Sequence, residues 1–279
     1  MPSLVTFNNK IDKEFSRAVK KRVNAYFEEK GISKHANAAM VIKTITILAL
    51  YWVPFVLILT AGFSVEVMWL LCLIMGIGFA GIGFSITHDA LHGAYSSNPT
   101  VNNIVGTMFD LVGANGYIWK ITHNIIHHTY TNIHGHDEDL EVAEFIRLSP
   151  HSEYKPVHRF QHVLAFPAYS FATIFWVFVK DYWYFFKSPL GPYENKKHPT
   201  KEWVKLIITK IIVYTLTIVL PLMLLDITWW QYLIGFLTVH LTAGLILGII
   251  FQLAHVVEST THPLPNEENM IENHWVIHE

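Results

Sequence analysis

Hydrophobic positions along this chain gather into long unbroken runs rather than short alternating stripes. Thr44 to Val65 is 22 residues without a charge, and Val67 to Thr87 is another 21. Leu206 to Leu225 is apolar except for Lys210, and Ile227 to Val257 runs 31 residues without Asp, Glu, Lys or Arg. A helix needs about 20 such residues to cross roughly 30 Å of hydrocarbon. The connections at 61–66 and 226–228 are short. The pattern therefore predicts an all-α integral membrane protein with four transmembrane helices in two hairpins, 44–65 with 67–87 and 206–225 with 229–257. Pro54 predicts a kink in the first helix. Gly76, Ala80 and Gly83 give the second a small-residue side, and Gly244 with Gly248 predicts a step where the fourth helix approaches the second.

Two segments follow other rhythms. In residues 8–30, Ile11, Phe15, Val19, Val23 and Tyr26 recur at helical spacing among Lys, Arg and Glu, which predicts an amphipathic helix. It suits a membrane surface or the protein's own cytosolic part equally well. Val163 to Val179 is apolar enough to span, but charges flank it at Arg159, Lys180, Asp181 and Lys187. An interfacial helix over 163–187, within a cytosolic cap of residues 88–205, is the expectation, because a further crossing would put the last hairpin's histidines on the wrong face.

Composition sharpens this picture. Of 279 residues, 52% are hydrophobic and 15% charged, against about 25% charged in a soluble domain. The net charge of −2 gives no nucleic-acid signal. One cysteine, Cys72, excludes a disulfide framework and a thiolate metal site. Residues 1–43 are basic with no early apolar core, unlike a signal peptide. All 20 Lys and Arg fall in residues 1–43, in 85–205 or at Lys210, and the short hairpin connections hold none. The positive-inside rule then makes both termini and the middle region cytoplasmic.

Seventeen histidines carry the chemistry. His123, His127 and His128 fall within six residues, and His88 and His92 stand four apart just past the second apolar run. Residues four apart share a helix face, about 5–6 Å between Cβ atoms, so each box offers two imidazoles to one ion. On an α-helix His128 lies about 100° further round than His127, facing a second ion or a supporting partner. His255 lies about 39 Å along its helix from Trp229, past the membrane face and level with His88. His240, about 22 Å below it, reads as a buried, hydrogen-bonded histidine. Asp89 and Gln252 stand where they could hold a ligand's second nitrogen. The plain alternative is a solvated, histidine-rich helix face.

Together, His88-Asp-Ala-Leu-His92, the run His123-Asn-Ile-Ile-His127-His128, Gly135-His-Asp-Glu-Asp-Leu140 and Phe251-Gln-Leu-Ala-His255 resemble the membrane fatty acid desaturase family, and most of all its bacterial acyl-CoA, linoleoyl-type branch. The resemblance implies two non-haem iron ions held by His88, His92, His123, His127, His128 and His255. Asp89, Asn124, Asp137 and Asp139 would support them. It implies dioxygen as co-substrate, a fatty acyl substrate among membrane lipids, and introduction of a cis double bond with two electrons. There is no His-Pro-Gly-Gly haem motif, so a separate ferredoxin or cytochrome b5-type donor is expected. Trp119, Gly76 and Gly83 are candidates for lining the substrate tunnel. The family's third histidine box, which holds a His-His pair, has no counterpart among His262, His274 and His278; the expectation is a chain that ends before it. An alkyl or sterol hydroxylase would share the same metal site, and a zinc-binding or transport protein is the reading from another class.

Overall fold

The computed structural model describes residues 5–8, 13–137, 140, 145–187, 190, 197–258 and 260–278, apart from the side chains of Lys13, His255, Val276 and Ile277. An amphipathic helix, α1 (Lys13–Lys30), leads into the first long apolar helix, α2 (Ala38–Thr60). The second, α3 (Val65–Leu91), runs without interruption through the first histidine box. The third and fourth are α8 (Thr200–Leu224) and α9 (Trp229–His255). The four candidate spans are those the hydropathy predicts, and α2 begins six residues earlier because Asn37 caps it by accepting from the Met40 backbone N–H. Between the hairpins lie α4 (Pro99–Leu111), α5 (residues 116–130), α6 (Pro156–Ser170) and α7 (Ala172–Phe186). Strands β1 (Thr6–Phe7) and β2 (Met270–Ile271) pair in parallel, and α10 (Trp275–His278) follows.

Small residues set how closely the spans approach, and the fourth span does approach the second, though Gly244 and Gly248 face a different partner from the one the sequence suggested. Gly76 meets α9: a Cβ there would lie 2.6 Å from the Thr242 Cβ and 2.8 Å from the Val239 carbonyl oxygen. Gly78 does the same for the α2 backbone at Leu50 and Tyr51. Gly244 and Gly248, expected to face the second helix, instead face α6, with Gly244 against the Tyr169 and Ser170 carbonyls and Gly248 against the Tyr169 ring. The glycine step of the fourth span thus receives the segment whose topology was in question.

That segment is two helices, α6 and α7, bent by 51° at residue 171. Its elbow sits deep: Thr173 Oγ1 donates to the His240 carbonyl at 2.8 Å and meets His240 Nδ1 at 3.1 Å. From there α7 runs back along α8. Tyr214 donates to the Val177 carbonyl at 3.2 Å, Lys210 Nζ contacts Asp181 at 2.9 Å, and Phe185 packs edge-on against Trp203 at 4.8 Å. Each successive α7 contact lies nearer the Thr200 end of α8, the end that adjoins the histidine boxes.

Asp181 and Lys210 are both buried. Lys210 Nζ also donates to the carbonyls of Gly113 and Val177, and Trp176 Nε1 donates to Asp181 at 3.1 Å. Two charges survive burial only when paired and bonded in this way. The network locks α7 to α8 and to the turn that opens α5. Asp110 adds a second tie there, meeting Lys205 at 2.7 Å and the Gly116 N–H at 3.3 Å.

Candidate metal centre

The first histidine box directly follows a π-helical turn and the second lies on one; in such a turn the backbone bond spans five residues. In α3 the turn is Ile82–Thr87, and the Thr87 hydroxyl reaches back to the Ile82 and Gly83 carbonyls at 2.8 and 3.0 Å. In α5 it is Lys120–His127, closed by the His128 N–H donating to the His123 carbonyl. Such turns are uncommon and concentrate at functional sites. Here the wider winding corrects the α-helical projection. His128 swings towards its neighbours, with its ring 4.7 Å from His123 and 4.9 Å from His92.

Five imidazoles therefore gather from two distant stretches of chain. His88 lies 4.5 Å from His92, and each of those rings is 5.5 Å from His123. One ring nitrogen from each of His88, His92 and His123 can be chosen so that all lie within 4.8 Å of one another. His127 stacks on His123 at 5.1 Å. Trp119 lies nearly parallel to His123 at 4.4 Å and forms the floor of the cluster. Burial above all, then the neighbouring His88, His123 and His128, pushes the His92 pKa down to about 4. The imidazole is thereby held neutral, with a lone pair to give. Its Nε2 is buried with no hydrogen-bond partner among the described residues.

The polar neighbours differ in what they hold. Asp137 accepts from His127 Nδ1 at 3.0 Å and from the Asn132 N–H at 2.8 Å. That fixes the His127 proton on Nδ1 and the lone pair on Nε2. Asn132 takes a positive φ of 59° to present its N–H. Asn124 Nδ2 donates to the Leu91 carbonyl at 3.0 Å and so clamps the second box to the end of the first. Asp89 approaches His88 Nδ1 at 3.5 Å, on the open side of the cluster. Asp139 and the His255 side chain lie outside the described residues.

A cavity of about 420 Å³ opens beside the rings, lined by Trp119, His123, Tyr169, Trp176, Leu247 and Phe251 among others. Gln252 also lines it, and its Oε1 is buried without a partner among the described residues. Of the three tunnel candidates only Trp119 lines this cavity. Gly76 packs on α9, and Gly83 borders a void of about 10 Å³ beneath the cavity. Sequence reasoning missed the backing of the second box: Trp275 Nε1 donates to the His128 carbonyl at 3.3 Å, and His278 Nε2 meets the Thr131 carbonyl at 2.6 Å. A signal was present in the helical spacing of His274 and His278, which suggests a possible box but lacks the His-His pair.

The fatty acid desaturase family profile matches residues 64–277. The chain is 34% identical over 281 residues to the sn-1 linoleoyl-lipid 6-desaturase of Arthrospira platensis, covering 99% of this chain and 74% of that protein. It is also 34% identical to the enzyme of the same name from Synechocystis, covering 94% and 73%. An acyl-lipid (8-3)-desaturase of Physcomitrium patens is 28% identical over 95% of this chain and 55% of its own length. No solved structure matches. With its two histidine boxes converging on one cluster and a profile match over most of its length, the chain belongs to the fatty acid desaturase family.

Proposed function

We propose that this protein desaturates the acyl chain of a membrane lipid, holding two iron ions and drawing electrons from a separate ferredoxin or cytochrome b5-type carrier. The observation that carries this reading is the convergence of His88, His92 and His123 at mutual ligand distance beside a cavity fit for hydrocarbon. The donor set fits iron: neutral imidazoles with no thiolate, and a buried lone-pair nitrogen on His92. His88, His92, His123, His127, His128 and His255 would hold the metals. Bound iron, with dioxygen and two electrons, supplies the oxidising strength that side chains lack for an unactivated C–H bond.

The chain's own residues do the rest. Trp119, Trp176, Leu247 and Phe251 exclude water and hold the acyl chain beside the rings. Asp137 fixes the His127 tautomer, and Asn124 keeps the two boxes in register. In sum, two hydrogens leave adjacent methylenes, and dioxygen takes them up with two electrons and two protons as two waters.

The orientation follows from charge. The basic regions share the side of the boxes, which supports a reading with the centre and both described ends of the chain on the cytoplasmic face, in a bacterial inner membrane. α6 and α7 enter from that face, turn at His240 and return without crossing.

The test is to supply the purified protein with iron, a reduced carrier, oxygen and a linoleoyl glycerolipid, and to analyse the lipid by mass spectrometry. Loss of two hydrogens is expected. Gain of an oxygen atom would make the protein a hydroxylase, and zinc retained through purification with no turnover would make it neither.

A further inference from the structure

Helix α1 belongs to none of the packing described above. From Glu14 to Lys30 every residue is exposed except Ser16 and Phe27, which are half-buried. Phe15, Val19, Val23 and Tyr26 lie on one side of it and are 41–53% exposed. Lys20 and Arg22 border this stripe, Arg17 and Lys21 lie behind it, and Glu14, Glu28 and Glu29 sit towards the two ends. A helix of 18 residues is about 27 Å long, so the apolar stripe extends well beyond a single contact.

Both ends of α1 are fastened to the metal centre's walls. Ahead of it, β1 pairs with β2, and Tyr130, two residues past the second box, donates to the Val5 carbonyl at 3.4 Å. Behind it, His35 and Ala36 bond the carbonyls of Ala94 and Tyr95, in the turn after the first box, at 3.1 and 3.0 Å. The Tyr95 hydroxyl meets Thr44 Oγ1 in the second turn of α2 at 2.9 Å. The exit of α1 is thus tied to the box end of the first membrane span.

We propose that α1 lies on the membrane surface, with Phe15, Val19, Val23 and Tyr26 in the interface and the bordering Lys20 and Arg22 on anionic lipid headgroups. Two features select lipid as the occupant. The apolar stripe is bordered by cations, the pattern of helices that lie in an interface. The tether to α2 holds the helix at the level where a bilayer begins. Because its two anchors follow the two boxes, surface charge would bear on the cover of the metal centre. This inference stands whether or not the centre desaturates.

The test uses the full chain with Cys72→Ser in nanodiscs of phosphatidylcholine, with or without phosphatidylglycerol. A fluorophore is placed on Val19→Cys or on Asn24→Cys, which faces away from the stripe, and is quenched by nitroxide-bearing lipid. In the anionic discs the label at 19 should be quenched at least twofold more than the label at 24. Raising the salt, or replacing Lys20 and Arg22 with Glu, should shrink that difference. Equal quenching at the two positions in both lipids would overturn the proposal, as would protection of position 19 only on adding an acidic electron carrier.

Discussion

Two cavities share the four-helix frame and could hardly differ more in chemistry. The larger, about 560 Å³, lies at the Val65 and Trp230 end and is walled by Tyr51, Phe55, Met75, Phe178 and Val239 among others. The smaller, about 420 Å³, lies beside the imidazoles. They nearly meet: His240 lines the first, Thr173 lines the second, and those two side chains are bonded to each other. Size and apolarity favour the cavity without chemistry. Convergent polar groups mark the other, and they are the better guide to a working site.

The contrast can be tested by substitution. His123→Ala removes a ring central to the cluster and should abolish turnover, at least a thousandfold by lipid mass spectrometry, with iron content falling in parallel. Gly244→Leu should come next. Its side chain would strike the Tyr169 and Ser170 carbonyls, displace the α6–α7 elbow and cost at least tenfold in activity together with a lower melting temperature. Asp137→Asn keeps the shape but loses the carboxylate on His127, and should cost about 10–100-fold in metal affinity or activity. Thr173→Ala opens the partition between the cavities, and should shift the preferred acyl length upwards in a competition assay with little change in rate. Cys72→Phe fills part of the larger cavity and should leave product and rate within about twofold. A large effect there would make the larger cavity part of the substrate path.

The spans were legible because hydrocarbon imposes one requirement, length of uncharged helix, and a sequence states that openly. The boxes were legible because imidazole is scarce and its spacing periodic. What escaped was winding and partner choice. Nothing in Lys120–His127 announces a π-helical turn, so the closeness of the His128 ring to His123 and His92 does not follow from α-helical spacing. Gly244 and Gly248 announced close approach but not to which neighbour, since α3 and α6 both offered a surface to meet. The elbow at residue 171 was hidden for a like reason. Its depth depends on bonds from Thr173 to His240 and from Asp181 to Lys210, whose partners lie 67 and 29 residues away.

The Asp181–Lys210 pair also imposes an order of events during synthesis. Asp181 leaves the ribosome 29 residues before Lys210, the ammonium it contacts at 2.9 Å. A lone carboxylate is costly in hydrocarbon, so α7 gains nothing by entering the bilayer early. If α7 enters the membrane as proposed, it does best to wait at the surface until α8 delivers the countercharge. A released chain truncated just before Lys210 should accordingly leave residue 181 open to water-borne reagents, whereas in the longer protein it is buried.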